Sequence, residues 1–394
     1  MIKIGRSRRL SHSRSPSLIS FIRGFFLGAT VVIGANASGS NVTELEELSE
    51  ILETARIEME LPGLRAAARF SDATVVCAAA GLADREANVA LDNVAPMPGG
   101  STGKTFVAAV TMLLVEEGVL SLDDLISKWL EEEPWFDKLP NSRDIRIWHL
   151  LSHTAGLSDY PESRSYQIQS IWRAIRRGSI RFEPDELIRY TLRKRPLFPV
   201  GEGFRYTDIG YLVLGKVIEA ATDRQYYDLL REKILDPLGL DQVVVQDQSI
   251  LPEVVPGYMR GARNLRPDGS MKIDPSSEWT GGGVALNPTM LVEFLGALAE
   301  ARVVTPGSFK KMREMGWRDP DSPEEYYGLG LFVHDDGAAI GHAGLWPGYR
   351  THVMHFFATD TTVAIQTNRD GAVDTREVVR RVADFVGKHG TSNE

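Results

Sequence analysis

The sequence predicts an α/β protein in which strands from both ends of the chain form one antiparallel sheet flanked by helices. Two observations support this fold. Short segments rich in β-branched and aromatic residues lie near both termini, whereas the middle of the chain has helical segments interrupted by Pro and Gly. The predicted strands are 64–70 and 74–80 near the N-terminus, and 329–333, 338–342, 351–357 and 362–366 near the C-terminus.

This pattern divides the chain after its first 37 residues into two structural units. Residues 38–118 and 296–394 are expected to form a discontinuous α/β domain, and residues 119–295 a mostly helical insert that covers one side of it. The cleft between the two units is the expected place for an active site. Helices are predicted at 42–59, 101–117 and 373–386, where apolar residues recur at helical spacing.

Composition excludes several classes of protein. The 394 residues are 43% hydrophobic and 25% charged, which is the balance of a globular protein. A formal net charge of −9 argues against a general nucleic-acid binder, which needs a basic surface. The single cysteine, Cys77, has no partner for an internal disulfide.

The first 37 residues are typical of a secretory signal peptide. A basic start is followed by the apolar run 24–34 and then by Ala35-Asn36-Ala37, with small residues where a signal peptidase cleaves. Cleavage leaves no stable membrane span and predicts a periplasmic or secreted protein. The alternative is an uncleaved membrane anchor that includes residues 18–22, although Arg23 interrupts it. The sequence leaves open whether export is general or twin-arginine.

Ser101-Thr102-Gly103-Lys104 is a candidate catalytic motif at the start of a strongly apolar helix. Residues three apart share one face of a helix, so Lys104 can reach the Ser101 hydroxyl. The helix N-terminus favours a developing alkoxide, and a buried lysine can lose its proton and act as a base. The same spacing also occurs at Ser308 and Lys311, but charged neighbours there indicate a solvated face.

With this helix in view, the sequence resembles the serine hydrolases of the class C β-lactamase and penicillin-binding protein superfamily. The resemblance covers most of the chain after the signal segment and rests on several blocks in the same order. These blocks are STGKTF with LLVEEGVLSLDD, IWHLLSHTAGL (147–157), FPVGEGFRYTDIGYLVLG (198–215), EWTGGGVALNP and GHAGLWPGYRT (341–351). The resemblance implies the β-lactamase/transpeptidase-like fold.

The resemblance also implies roles for individual residues. Ser101 corresponds to the nucleophile, and Lys104 and Tyr206 to the groups that move its proton. The backbone N–H groups of Ser101 and Leu345 correspond to the oxyanion hole. The expected substrate-binding residues are His342, Ala343 and Gly344 of the His-x-Gly motif, together with Leu345 and Asp208.

Two positions depart from the best-known members of the family. Asp208 stands where many have Asn, and a carboxylate only accepts hydrogen bonds where an amide also donates. Ala343 stands where many have Thr, whose hydroxyl contacts the substrate carboxylate. Both changes weaken the case for an anionic peptide-like substrate. Trp346 and Tyr349 are either an apolar substrate pocket or packing residues.

The sequence implies no cofactor and no metal. His149 and His153 have the four-residue spacing of zinc ligands on a helix, but Leu150 stands where a zinc protease has its glutamate.

The expected function is an exported serine hydrolase that acts through a Ser101 acyl-enzyme on a small ester, amide or peptide-like substrate. The alternatives are a β-lactamase or D-Ala-D-Ala carboxypeptidase, and a non-catalytic sensor module that kept the fold.

Overall fold

The computed structural model describes residues 29–30 and 39–390. Except for the two-residue strand at 29–30, the predicted signal segment 1–37 lies outside the described residues. The strands are β1 (Ala29–Thr30), β2 (Gly63–Arg69), β3 (Val75–Asp84), β4 (Val89–Ala90), β5 (Met97–Pro98), β6 (Val244–Val245), β7 (Tyr258–Met259), β8 (Ala262–Arg263), β9 (Val284–Leu286), β10 (Trp317–Asp319), β11 (Ser322–Tyr327), β12 (Phe332–His334), β13 (Ala339–Trp346), β14 (Tyr349–Phe356) and β15 (Thr361–Thr367).

Helices occupy much of the remaining described chain. They are α1 (Gly39–Glu58), α2 (Gly103–Glu116), α3 (Ser127–Leu130), α4 (Ile147–Leu151), α5 (Arg164–Arg177), α6 (Pro184–Ile188), α7 (Asp208–Thr222), α8 (Tyr226–Leu230), α9 (Asp236–Leu238), α10 (Pro288–Ala299), α11 (Pro306–Glu314) and α12 (Thr375–Gly390). A π-helical turn, Arg231–Leu235, joins α8 to α9, and short 3-10 turns include Gly100–Thr102 and Trp279–Gly281.

Both ends of the chain contribute to one antiparallel sheet, as the sequence predicts. Its order is β1-β3-β2-β15-β14-β13-β12-β11-β10, and β4 pairs with β3. The N-terminal strand β2 lies beside the C-terminal strand β15, with Leu64 opposite Thr367. Helices α1 and α12 bury one face of the sheet, and α10 packs on β2 and β15. The predicted α/β architecture, an antiparallel sheet built from both chain ends and flanked by helices, is therefore confirmed.

Helix α2 lies in the centre of the molecule because it is apolar on nearly every side. Eleven of its fourteen residues are buried, which is the pattern of a core helix rather than of a surface helix. It contacts α7 and α8, and Phe106 stacks on Phe294 of α10 with ring centroids 3.6 Å apart. Gly103, the residue that begins this core helix, is therefore held by packing on several sides.

Some predicted boundaries differ from the structure. Helix α10 runs through the predicted domain boundary at 295/296 and lies on the sheet; the division into two domains remains a prediction. Strand β12 begins at Phe332, because Gly330 before it has a φ of +80° and its backbone packs against Ala108. The hairpin of β10 and β11 was not predicted, because its exposed edge residues are mostly charged.

Candidate active site

Ser101 lies in a short turn between β5 and α2. The turn is a 3-10 helix, Gly100–Thr102, so the α-helix begins at Gly103 and not at Ser101 as predicted. Gly100 has a φ of +55°, and a Cβ at this position would come within 2.7 Å of Leu345 backbone atoms. The lack of a side chain at Gly100 thus allows the Ser101 turn to lie directly against β13.

Lys104 lies one turn after Ser101 and its side chain is fully buried. Its Nζ donates to Ser101 Oγ at 3.1 Å, to Asp208 Oδ1 at 2.6 Å and to the carbonyl oxygen of Gly281 at 2.5 Å. A lysine ammonium has three hydrogens to donate, and here each has an acceptor. The geometry therefore fits the charged form of Lys104.

The electrostatic surroundings of Lys104 also favour its charged form. Burial alone lowers the pKa of Lys104, but Asp208, Tyr206 and Glu278 together raise it above its usual value. The sequence leaves open whether Lys104 or Tyr206 is the general base, and these surroundings favour the charged form of Lys104. A charged Lys104 can instead stabilise negative charge that develops on Ser101 Oγ.

Tyr206 is the third member of the predicted catalytic group, and its ring lies beside Lys104. Lys104 Nζ is 5.1 Å from the ring centroid, and the His153 ring packs on the other side at 4.2 Å. Burial raises the pKa of Tyr206 to about 12, although Lys104 and Ser101 act in the opposite direction. Its buried hydroxyl has no hydrogen-bond partner of standard geometry in the described chain. The phenol is therefore neutral at pH 7 and its oxygen is open to a new hydrogen bond.

The His-x-Gly motif lies on β13. His342 is buried, so it is not the direct substrate contact that the sequence predicts. Its Nδ1 is 2.8 Å from the Ala343 carbonyl oxygen, which can only accept, so Nε2 accepts a hydrogen bond from Tyr327 Oη at 2.9 Å. Burial is the largest cause that lowers the pKa of His342 to about 3, and the positive charge of Lys104 is the second. His342 is therefore neutral and holds Tyr327 in place.

The remaining predicted residues of β13 lie at the backbone contact with the Ser101 turn. A Cβ at Gly344 would collide with the carbonyl oxygen of Gly99, so glycine is required there for the two segments to touch. Ala343 is exposed, and Leu345 is 50% exposed. The backbone N–H of Leu345 is thus brought next to the Ser101 turn, as an oxyanion hole requires.

Two further carboxylates near Lys104 were not predicted from the sequence. Asp159 accepts hydrogen bonds from the backbone N–H groups of Asp208 (3.1 Å) and Ile209 (3.4 Å), at the N-terminus of α7. Burial is the largest cause that raises the pKa of Asp159 to about 7, and the negative charge of Asp208 is the second. Burial also raises the pKa of Glu278 to about 8, although Lys104 opposes the shift. Both groups therefore titrate close to neutral pH.

A sequence signal for these missed residues existed in or beside the blocks of the resemblance. Asp159 lies two residues after the SHTAGL loop, and Glu278 begins the block that contains Gly281. Spacing along the chain did not reveal that both segments converge on Lys104, because Asp159 is about 55 residues from Lys104 and Gly281 is 177 residues from it.

Other candidate residues have structural contacts. His149 Nδ1 accepts from the backbone N–H of Arg146 at 2.9 Å, and His153 Nδ1 from that of Thr207 at 3.3 Å. Across residues 29–30 and 39–390, no group of three or more His, Cys, Asp or Glu side chains is arranged to hold a metal ion. Trp346 and Tyr349 are buried in a core cluster, so they are packing residues.

The second Ser-x-x-Lys motif does not form a comparable site. Ser308 is buried in the first turn of α11 and contacts the capping residue Thr305, while Lys311 is exposed.

The described residues contain no helix that is both long and apolar enough to cross a membrane.

A serine at the start of a core helix, a buried lysine one turn later and a tyrosine beside both define a serine hydrolase site of the Ser-x-x-Lys type. Comparisons of this chain with known protein families and structures agree with this class of enzyme. The chain belongs to the β-lactamase family: the model of the family described as Beta-lactamase matches residues 48–387.

Individual relatives are distant. Penicillin-binding protein 4* of Bacillus subtilis is 24% identical over 73% of this chain and 63% of its own length. Penicillin-binding protein 4 of Amycolatopsis lactamdurans is 27% identical over 81% and 84%. A teichoic acid D-alanine hydrolase of Staphylococcus aureus is 26% identical over 58% and 52%. The chain thus spans just 63% and 61% of the lengths of two Bacillus subtilis relatives.

Solved structures show the same fold. A D-stereospecific amidohydrolase from Streptomyces sp. superposes with a TM-score of 0.73 at 24% identity, covering 85% of this chain and 97% of that one. A D-amino acid amidase from Ochrobactrum anthropi SV3 gives 0.72 at 21% identity, covering 88% and 99%. At these identities the likeness establishes the fold of this serine hydrolase and leaves its substrate to be argued from the site.

Proposed function

We propose that this serine hydrolase cleaves the ester or amide bond of a small substrate that has no free carboxylate, through an acyl-enzyme on Ser101. The observation that carries the proposal is the contact of Lys104 Nζ with Ser101 Oγ at 3.1 Å, in a site that also buries Tyr206. Export, with the site acting outside the cytoplasm, is part of the proposal and rests on the signal pattern in residues 1–37.

The hydrogen bonds support a proton relay through Tyr206. Ser101 Oγ accepts a hydrogen bond from charged Lys104, so its own proton is available for another acceptor. In the relay, this proton passes to the Tyr206 oxygen while the Tyr206 proton passes to the leaving group. Lys104 remains an ammonium and stabilises the charge on Oγ. Water then attacks the acyl-enzyme, and the relay runs in reverse to regenerate Ser101.

Electrostatics support a substrate without a carboxylate. The donors of Lys104 are all used, and the neutral form of His342 contributes no positive charge. Ala343 lacks the hydroxyl that a carboxylate needs. Arg350, the nearest arginine to the motif in sequence, donates to the carbonyl oxygen of Gly371 at 2.7 Å. Beside Asp208, a carboxylate would therefore find neither a hydroxyl at position 343 nor an unused donor on Lys104, which is unfavourable.

A D-aminoacyl ester or amide is the substrate class we favour within this proposal. Such a substrate carries an ammonium on the acyl side of the scissile bond, and it lacks the carboxylate that a penicillin or a D-Ala-D-Ala terminus has on the leaving-group side. Asp159 and Glu278, with pKa values of about 7 and 8, supply negative charge near Lys104 as pH rises. The names of a teichoic acid D-alanine hydrolase and of a D-amino acid amidase among the similar proteins agree with this class.

The proposal is tested with a substrate panel on purified protein. The panel contains D- and L-alanine methyl esters and anilides, an acetyl aryl ester, a chromogenic cephalosporin and a D-Ala-D-Ala peptide. We expect kcat/KM to be highest for the D-alanyl ester or amide and at least tenfold lower for both carboxylate-bearing substrates. A cephalosporin value near the diffusional ceiling would make the protein a β-lactamase. Absence of turnover on every substrate would favour the sensor module.

A further inference from the structure

Helix α5 exposes a continuous apolar stripe on the surface of the protein. Ile168, Ile171, Trp172 and Ile175 follow the spacing i, i+3, i+4 and i+7, which places them on one side of the helix. Their exposed fractions are 56%, 60%, 54% and 72%. A surface helix normally turns such a stripe towards the core, so its exposure here indicates a docking surface.

The opposite side of α5 attaches the helix to the rest of the protein through polar and aromatic contacts. The ring of Tyr166 lies 5.1 Å from that of Phe182 and 5.5 Å from that of Tyr190. Arg173 forms an ion pair with Glu186 at 2.7 Å. The helix is therefore fixed in an orientation that directs its apolar stripe outward.

The surroundings of the stripe are basic. Arg164 and Arg176 are exposed on the helix, and the Arg176 guanidinium lies 5.0 Å from the Trp172 ring centroid. Residues 164–195 contain nine Lys and Arg and three Asp and Glu, in a chain with a formal net charge of −9. An apolar stripe bordered by arginine is the pattern of a helix that lies in the interface of an anionic bilayer.

This charge argues against two other occupants. In a two-fold dimer formed through α5, the basic surface of one copy would face the same basic surface of the other. The second occupant, the N-terminal segment of this chain, is unfavourable for the same reason, because it is also basic, with Lys3 and five arginines before residue 24. We propose that α5 is a docking surface for an anionic phospholipid bilayer. The proposal does not depend on the reaction at Ser101.

Helix α5 is connected to the Ser101 site through two tyrosines. Tyr166 of α5 packs on Tyr160 with ring centroids 4.8 Å apart, and Tyr160 Oη is 3.4 Å from Asp208 Oδ2. Docking of α5 would therefore hold the Ser101 site close to the membrane surface.

Co-sedimentation of the full chain with phosphatidylglycerol vesicles and with neutral phosphatidylcholine vesicles tests the proposal. We expect binding to the anionic vesicles to be at least tenfold stronger. The double variant Ile171→Asn/Ile175→Asn should reduce that binding at least tenfold, and Arg164→Gln/Arg176→Gln should reduce it on anionic vesicles alone. The matched control Ile57→Asn/Ile250→Asn, which changes isoleucines that are 60% and 49% exposed elsewhere, should bind as the unchanged protein does.

A local readout separates α5 from the N-terminal segment, which all variants share. Tryptophan emission should shift to shorter wavelength on anionic vesicles, and Trp172→Phe should lose part of that shift, whereas Trp129→Phe should keep it. All variants should retain ester hydrolysis in solution, so that a failure here is distinct from a failure of the proposed reaction. Vesicle binding that is unchanged in both α5 variants would overturn the proposal, as would a dimer that dissociates in the Ile171→Asn/Ile175→Asn variant without any vesicle binding.

Discussion

The ammonium of Lys104 lies 2.6 Å from the carboxylate of Asp208. Lys104 is fully buried and the Asp208 side chain is 27% exposed. A buried cation without its partner is strongly unfavourable, so this ion pair keeps Lys104 charged next to Ser101. Asp208 thus acts on the catalytic group through Lys104, and its contact with the substrate stays a prediction.

The pH dependence of Asp208→Asn tests this relationship. In the unchanged protein the pKa of Lys104 is raised, so an ammonium required for activity persists into the alkaline range. Removal of the carboxylate leaves burial, which lowers that pKa. The alkaline limb of kcat/KM should therefore move to lower pH by more than about one unit.

Asp223→Asn, at the other end of α7, removes an exposed carboxylate and should leave the profile unchanged. If Lys104 is instead a neutral base, Asp208→Asn will move an acid limb to lower pH and raise activity near pH 7. Thermal unfolding of both variants confirms that each is folded under the assay conditions.

Tyr206→Phe should slow the reaction by a factor that depends on the leaving group. General acid–base residues contribute about 10²–10⁴-fold, and Tyr206 is proposed to protonate the leaving group. An amide needs this proton more than a nitrophenyl ester does, so the loss of kcat should be larger for the amide. Tyr226→Phe changes a buried tyrosine at the first position of α8, outside the proposed catalytic group, and serves as the control. Equal losses on both substrates would contradict the relay.

Ala343→Thr should improve the use of carboxylate-bearing substrates. The new hydroxyl would stand on an exposed position of β13 and could donate to the substrate carboxylate. One such hydrogen bond contributes about 1 kcal/mol, which corresponds to about a fivefold gain in kcat/KM for the cephalosporin or the D-Ala-D-Ala peptide. The neutral ester serves as the internal control and should change less than twofold. No change on any substrate would mean that position 343 does not set specificity.

The mature N-terminus tests export. Mass spectrometry of the protein isolated from its native cells should find a chain that begins at Ser38, after cleavage behind Ala37. Recovery of a cytoplasmic chain that still begins near Met1 would contradict the export proposal, and recovery of that chain from the membrane would support the uncleaved anchor.

Much of the fold could be predicted from local sequence pattern. The apolar period of α2 and the β-branched and aromatic residues of β13, β14 and β15 are properties of contiguous residues, so these elements were predicted close to their observed positions. The hairpin of β10 and β11 was missed because its residues 317–327 are stabilised by pairing to β12 and not by a buried pattern of their own. Edge strands of this kind depend on the neighbouring strand more than on their own composition.

The site was predictable where motifs carry it and not where tertiary contacts do. Ser101, Lys104 and Tyr206 were identified from sequence blocks, and the structure brings the three together. The charge state of Lys104 was not predictable, because it depends on Asp208 and Gly281, which are 104 and 177 residues away. The burial of His342 beneath Tyr327 likewise follows from sheet pairing and not from the His-x-Gly spacing.

The most direct test of the central claim is the site of covalent labelling by a serine-directed fluorophosphonate. Peptide mass spectrometry of the labelled protein should find one adduct, on the peptide that contains Ser101, and Ser101→Ala should abolish both labelling and turnover. Loss of a serine nucleophile typically reduces kcat by about 10⁶-fold. Ser308→Ala should label and turn over as the unchanged protein does. An adduct on the Ser308 peptide, or full activity in Ser101→Ala, would contradict the account.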